Sequence, residues 1–185
     1  MKRYDAIKRI VEALNDELIV CNLGTPSREL YSILDRDKNF YMLGSMGLVS
    51  SIAFGIAISQ PNHIVWCIDG DGSMLMNLGS LCTIANHNQI NLILIVIDNS
   101  SYGSTGNQKT YTSSKTRLEV IAKGAGFEYI TVIDKEEKII PTLKDLSLDR
   151  HFVVIKVEPG NAKVQNVPLN PVEIKKRFMR IFTKK

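Results

Sequence analysis

The chain has 185 residues, of which 44% are hydrophobic and 23% charged, and its net charge is +4. That length supports one domain with a real core and is short for two. The small positive balance, with no long basic block interleaved with aromatics, argues against a nucleic-acid partner.

Taken in order, the chain alternates helical and extended patterns. Tyr4 to Leu14 carries Ile7, Ile10, Val11 and Leu14 on one helical face. Leu18 to Cys21 reads as a first strand. Pro26 is expected to end it, and Ser27 to cap a helix running to about Leu34. Asn39 to Leu43 is a second strand, broken by Gly44-Ser45-Met46-Gly47. A helix follows to Ile58, whose small residues Ser50, Ser51, Ala53, Gly55 and Ala57 permit close packing. Pro61-Asn62 turns the chain into a third apolar run, Ile64 to Ile68. A helix is expected from Met74 to Asn86, then a fourth strand from Leu92 to Ile97. Tyr102 to Ser114 is polar and aperiodic, a loop of the kind that covers ligand. Leu118 to Gly124 is a short helix ended by glycine. Phe127 to Ile133 is the fifth strand, Glu136 to Leu146 a helix interrupted by Pro141, and Phe152 to Val157 the sixth strand. Val172, Ile174, Phe178, Ile181 and Phe182 form the apolar stripe of a last helix. Such alternation means an α/β domain on a parallel sheet.

The third and fourth strands frame the most informative stretch. Gly70-Asp71-Gly72-Ser73 follows one, and Asn99-Ser100-Ser101-Tyr102-Gly103 follows the other. A βαβ unit sets both turns on the carboxyl edge of the sheet, where such folds bind ligands. Asp71 offers a carboxylate, Asn99 a carboxamide, and the second turn free carbonyls. Hard oxygen donors of this kind suit Mg²⁺, which takes few protein ligands and is completed by phosphate and water. The helix starting near Ser73 aims its N-terminus at the same place, which favours phosphate. A bare Gly-Asp-Gly also occurs in plain turns. Competing motifs fail: a Rossmann fingerprint needs glycine at Leu75, a phosphate loop needs Gly-Lys-Ser/Thr, and a calcium loop needs glycine at Met74.

Together with Ser27-Arg28-Glu29-Leu30, Gly44-Ser45-Met46-Gly47 and Ser104-Thr105-Gly106, these turns resemble the thiamine diphosphate-dependent decarboxylases. Within that family the likeness is to the branch acting on sulfopyruvate and phosphonopyruvate, and it covers nearly the whole chain. The family motif usually ends in two asparagines; here the first is Asp98. The resemblance implies a single thiamine diphosphate-binding domain over residues 1–185, with a six-stranded parallel sheet flanked by helices. It implies thiamine diphosphate held through Mg²⁺ by Asp71, Asn99 and the Ser101 carbonyl. Gly70, Gly72, Ser73, Tyr102 and Gly103 would surround the diphosphate. Gly24 and Thr25 match a turn near it in relatives, though a simple turn is as good a reading. From the residues alone Met46 is core. The resemblance makes it the wedge that bends the cofactor, with the Gly44 and Met46 carbonyls on the aminopyrimidine and Ser45 among the cofactor-binding residues of the same turn.

The implied activity is decarboxylation of 3-sulfopyruvate to sulfoacetaldehyde in coenzyme M biosynthesis, by a cytoplasmic hetero-oligomer. This chain would supply the cofactor-anchoring half and no catalytic residue. The activating glutamate would lie on an α subunit carrying the pyrimidine-binding domain. Rival readings are a decarboxylase for phosphonopyruvate or another 2-keto acid, a keto-acid:ferredoxin oxidoreductase subunit, and a non-catalytic thiamine diphosphate-binding regulatory subunit. Clustered cysteines would favour the oxidoreductase, and Cys21, Cys67 and Cys82 are scattered. The cysteines read as small residues of a reducing compartment. No apolar run nears the ~20 residues of a membrane span, and Met1 to Asp5 lacks a signal peptide's apolar core. His63, His87 and His151 sit in no motif and read as structural. Arg28, Gln108 and Lys109 remain candidate contacts for an anionic substrate.

Overall fold

Runs such as Val65-Trp66-Cys67-Ile68 and Leu92 to Ile97 are apolar at every position, so a strand made of them must be covered on both faces. The computed structural model, which describes residues 1–88, 90–147 and 149–183, satisfies that demand. Strands are numbered here in chain order. β1 (Leu18–Cys21), β2 (Asn39–Tyr41), β3 (Val65–Gly70), β4 (Leu92–Asp98), β7 (Tyr129–Ile133) and β8 (His151–Lys156) form one six-stranded sheet. Their order is β2-β1-β3-β4-β8-β7, and every neighbouring pair is parallel. β5 (Ser101–Tyr102) and β6 (Gln108–Lys109) pair antiparallel outside it.

The two-residue period of the strands divides the core in two. Leu18, Val20, Val65, Cys67, Leu94, Val96, Phe152 and Val154 face one side. They are covered by α3 (Val49–Ser59), α5 (Gly79–Ala85), α6 (Leu118–Ala125) and Phe178 of α8 (Pro171–Thr183). Ile19, Cys21, Trp66, Ile68, Ile93, Ile95, Val153 and Ile155 face the other side. α1 (Arg3–Ala13), α2 (Thr25–Ile33) and α7 (Ile139–Lys144) pack there. Burial pushes the Cys21 thiol up to about 12 and raises Cys67 as well, so neither is a ready nucleophile.

The chain runs from β1 outward to β2, then returns past β1 to β3. That reversal opens a crevice at the carboxyl ends of β1 and β3, the usual ligand position in such sheets. Ser50, Ala53 and Ala57 are the buried small residues of α3, and the Ser50 hydroxyl lies 3.0 Å from that of Ser80 on α5. Ser51 and Gly55 are exposed instead.

Several boundaries differ from expectation, each for a local reason. The expected helix from Met74 to Asn86 is two helices, α4 (Asp71–Leu75) and α5. Asn77 sits between them and donates its amide to the Gly47 carbonyl at 2.9 Å. Ser27 is not a cap. α2 begins at Thr25 with Gly24 before it at φ 78°, Pro26 lies in its first turn, and the Ser27 hydroxyl donates to the Asn22 carbonyl at 2.7 Å. Pro141 lies in the first turn of α7, where no backbone donor is needed, behind a 3₁₀ turn over Glu136–Lys138. The fifth strand starts at Tyr129 rather than Phe127, and the polar loop contains the β5–β6 hairpin and a 3₁₀ turn at Tyr111–Ser113.

α6 runs through Gly124 and stops at Gly126, whose φ of 111° lies where an L side chain is strained. Gly126→Ala is expected to cost about 1–2 kcal/mol of stability, whereas Gly124→Ala, inside the helix, should stabilise slightly. Urea unfolding of both variants checks this.

Candidate functional site

β3 and β4 run in register, with Gly70 opposite Ile97, so the residues after them emerge side by side. Asp71 is only 2% exposed. Its Oδ2 accepts from the Thr110 hydroxyl at 2.5 Å and from the Thr112 hydroxyl at 3.0 Å. The Thr112 hydroxyl also lies 2.8 Å from Asp98 Oδ1. One hydroxyl proton cannot fully serve two carboxylates. Burial raises the Asp71 carboxyl above its ordinary range; the Thr110 bond opposes the shift and the nearby Asp98 charge adds to it. Asp71 is met by hydroxyls and, among the described residues, by no cationic side chain, the condition a bound cation relieves.

Asp98, the departure from the expected pair of asparagines, has its own counter-charge. It lies opposite Lys156 in the β4–β8 register, and Lys156 Nζ donates to Asp98 Oδ2 at 2.6 Å. The Asp98 side chain is fully buried. Asn99 stays available: it is 4% exposed, and among the described residues its Oδ1 accepts only the Ser101 N–H, at 3.1 Å. A carboxamide oxygen has a second lone pair for a metal. Ser100 between them adopts φ 56° and donates its N–H to Asp98 at 2.9 Å.

Asp71, Asn99 and Ser101 line a cavity of about 170 Å³, together with Asn22, Met46, Asp69, Gly70, Gly72, Ser73, Tyr102, Gly103 and Arg3; Asp98, Thr110, Thr112 and Lys156 lie behind it. The structure thus gathers nine residues expected at the cofactor: Met46, Gly70, Asp71, Gly72, Ser73, Asn99, Ser101, Tyr102 and Gly103. Gly24 and Thr25 lie beside them, lining an adjoining pocket with Gly103, Ser104 and the exposed Arg28. Gly44 and Ser45 are not brought into the Asp71 cavity; they border a groove with Phe40, Leu43 and Ile174. The chain reverses at Ser45, φ 62°, so Met46 alone of that turn reaches the cavity. Met46 is 37% exposed and so is not core. Its turn is tied to the aspartate turn, because Gly47 N–H donates to the Ser73 hydroxyl at 3.0 Å.

The donor set suits magnesium and a diphosphate. Carboxylate, amide and carbonyl oxygens are hard ligands. The N–H groups of the first turn of α4 have no partner within the helix, although five residues make a weaker dipole than the longer expected helix. A methyl group on Gly72 would sit 2.4 Å from the Tyr102 ring, so a side chain there would collide. Asp69 Oδ2 is buried without a partner, and burial pushes the Asp69 carboxyl to about 7, so it holds its proton readily.

The three histidines lie outside the cavity and pack edge-on or tilted against Phe182, Phe54 and Tyr129. Gln108 and Lys109 are exposed on β6 and do not line it either. Reading the sequence missed Thr110, Thr112 and Lys156. The Thr-x-Thr pair in the polar loop, Thr110 entering the 3₁₀ turn and Thr112 within it, was the available signal.

Residues 24–157 match the family described as thiamine pyrophosphate enzyme, C-terminal TPP binding domain. The chain belongs to this family. It therefore has the fold and the thiamine diphosphate cofactor of that domain, and the match runs from the residue before α2 through β8. It is 52% identical to the sulfopyruvate decarboxylase subunit beta of Methanocaldococcus jannaschii over 96% of this chain and 95% of that one. It is 36% identical to a phosphonopyruvate decarboxylase of Streptomyces viridochromogenes, over 98% of this chain but 46% of that one. A solved structure of a thiamine diphosphate-dependent 4-hydroxybenzoylformate decarboxylase from Rhodococcus jostii superposes with TM-score 0.74 at 16% identity, over 88% of this chain and 33% of that one. At that identity the likeness shows the fold alone. Among the described residues no helix is long and apolar enough to cross a membrane.

The Asp98–Lys156 pair explains how this family member carries an aspartate where asparagine is usual. Lys156→Met, which leaves a buried carboxylate unpaired, is expected to cost about 3–5 kcal/mol. Adding Asp98→Asn should restore most of that loss. A double-mutant cycle by denaturant unfolding reads the coupling.

Proposed function

We propose that residues 1–185 form one diphosphate-binding domain, and that this is the β subunit of a cytoplasmic sulfopyruvate decarboxylase. The complex converts 3-sulfopyruvate to sulfoacetaldehyde and CO₂ in coenzyme M biosynthesis. The observation that carries this reading is identity of 52%, 48% and 45% to three sulfopyruvate decarboxylase β subunits, each matched over at least 95% of its length. When bound, thiamine diphosphate supplies the nucleophilic carbon and the electron sink for loss of CO₂.

The chain's own residues anchor and shape. The Asp71 carboxylate, the Asn99 amide oxygen and the Ser101 carbonyl hold Mg²⁺, while Thr110 and Thr112 orient Asp71. Backbone N–H groups at Gly72 and Ser73 meet the diphosphate. Met46, fixed through Gly47 and Ser73, wedges the cofactor from the side. Removing Asp71 leaves the diphosphate's charge uncompensated. Asp71→Ala is expected to weaken thiamine diphosphate binding by more than the roughly 10–100-fold typical of losing an outer partner of a metal site. The fold should survive. Titration calorimetry of the cofactor with Mg²⁺ checks this, and unchanged affinity would remove Asp71 from the metal.

The partner is an α subunit carrying the pyrimidine-binding domain. Three observations support it. No glutamate lines the cavity among the described residues. Leu43, Met46, Leu48 and Met76 are 37% to 61% exposed around the Met46 turn, an apolar rim ready for cover. A 42%-identical sulfopyruvate decarboxylase from Methanosarcina acetivorans is matched over only 46% of its length, so its single chain carries a second part. The purified chain with Mg²⁺ and thiamine diphosphate should release no CO₂. With its α subunit it should release CO₂ from sulfopyruvate faster than from phosphonopyruvate or pyruvate. Activity of the isolated chain would sink the two-subunit reading, and a preference for phosphonopyruvate would move the assignment to that substrate.

A further inference from the structure

Arg3 and Glu29 form an ion pair that is almost wholly buried, with Arg3 at the edge of the cavity. Their side chains are 8% and 1% exposed. The contact is a fork: Arg3 Nε donates to Glu29 Oε2 at 2.8 Å, and Nη2 to Oε1 at 3.1 Å. A buried pair of this kind is held in one geometry because either charge alone would be strongly disfavoured. It is also larger than a pair. The same Arg3 Nη2 donates to Asn161 Oδ1 at 2.7 Å, and the Ala162 N–H donates to Glu29 Oε1 at 3.0 Å. Helices α1 and α2 thus grip the irregular segment that follows β8.

Asn161 passes that grip to the cavity. Its Nδ2 donates to the Gly103 carbonyl at 2.7 Å. The orientation of the amide is not free, since a flip would set its NH₂ against the guanidinium and its oxygen against a carbonyl. The approach is close: a methyl group on Gly103 would lie 3.0 Å from Asn161 Oδ1. Gly103 follows Tyr102, whose ring rests on Gly72. Arg3, Tyr102, Gly103 and Gly72 all line the cavity, whereas Asn161 does not.

We propose that Asn161 is a positioning residue, locked by the Arg3–Glu29 pair, that holds the Tyr102–Gly103 turn against the Gly70–Ser73 turn and so shapes the diphosphate end of the cavity. It touches neither cofactor nor substrate. Its effect on the cofactor rests on the function proposed above; its effect on the turn does not. Residue 161 lies just beyond the family match, which ends at 157.

The discriminating variant is Asn161→Asp. It keeps an acceptor for Arg3 and replaces the donor to Gly103 with a second acceptor. Two measurements on the full chain and on its assembled enzyme decide the matter. Amide exchange of the 101–109 segment should speed up by roughly 2- to 10-fold, the worth of one hydrogen bond, while β3 and β4 keep their protection. The KM for thiamine diphosphate should rise by a similar factor with kcat little changed. Unaltered exchange of 101–109 overturns the proposal. Exchange that rises equally across β3 and β4 also overturns it, because that marks general loosening. Faster loop exchange with an unchanged cofactor KM overturns the link to the cavity. An assembly that fails to bind thiamine diphosphate even with Asn161 intact would sink the proposed function, and the exchange measurement would still stand or fall separately.

Discussion

Two carboxylates emerging from adjacent buried strand ends are the constraint around which this structure is arranged. Asp71 and Asp98 are 2% and 1% exposed, and desolvation at such positions disfavours charge. Asp98 is neutralised by Lys156 from the next strand, and Asp71 is met by two threonines from the loop that follows β4. The two solutions differ in kind. A lysine closes the account at Asp98, whereas hydroxyls leave the charge on Asp71 in place. Only the second arrangement has a use for a bound cation, and that asymmetry supports the proposal of Asp71 rather than Asp98 as the ligand.

Much of this was legible in the residues. The stretches Val65–Ile68, Leu92–Ile97 and Phe152–Ile155 are apolar runs that call for cover on both faces, and the Asp71 and Asn99 turns lie on one sheet edge as expected. What could not be read is whatever depends on strand order. Nothing in the sequence pairs Asp98 with Lys156, 58 positions away, until β8 is known to lie beside β4 rather than at the edge. Nor does anything in the sequence mark Arg3 as the partner of the fully buried Glu29, 26 positions away. Local errors came from side chains that bond the backbone. Asn77 breaks a helix to reach Gly47, and Ser27 turns inward to Asn22 instead of capping α2. The small-residue helix was half right: Ser50, Ala53 and Ala57 pack closely, while Ser51 and Gly55 face outward.

The division of labour between rigid and irregular parts follows from the same geometry. A ligand set must be held within a fraction of an ångström to be useful, and strand ends hold position better than loops. Asp71 and Asn99 each directly follow a central strand or its last residue, so the sheet fixes them. Met46, Ser101, Tyr102 and Gly103 come from turns without that support. Each of these turns is tied back by a specific bond: Gly47 to Ser73, Ser101 to Asn99, Gly103 to Asn161. A loop fastened at single points keeps its shape without being buried, which leaves its outer surface uncovered. Leu43, Leu48 and Met76 lie on that outer surface with Met46. A chain that fixes a cavity with a buried arginine–glutamate pair, and lines it with no glutamate among the described residues, has the form of a half-site, rigid before its other half arrives. Preorganisation of that kind lowers the ordering cost of association, so the assembly step can be driven by covering the apolar rim rather than by folding the site.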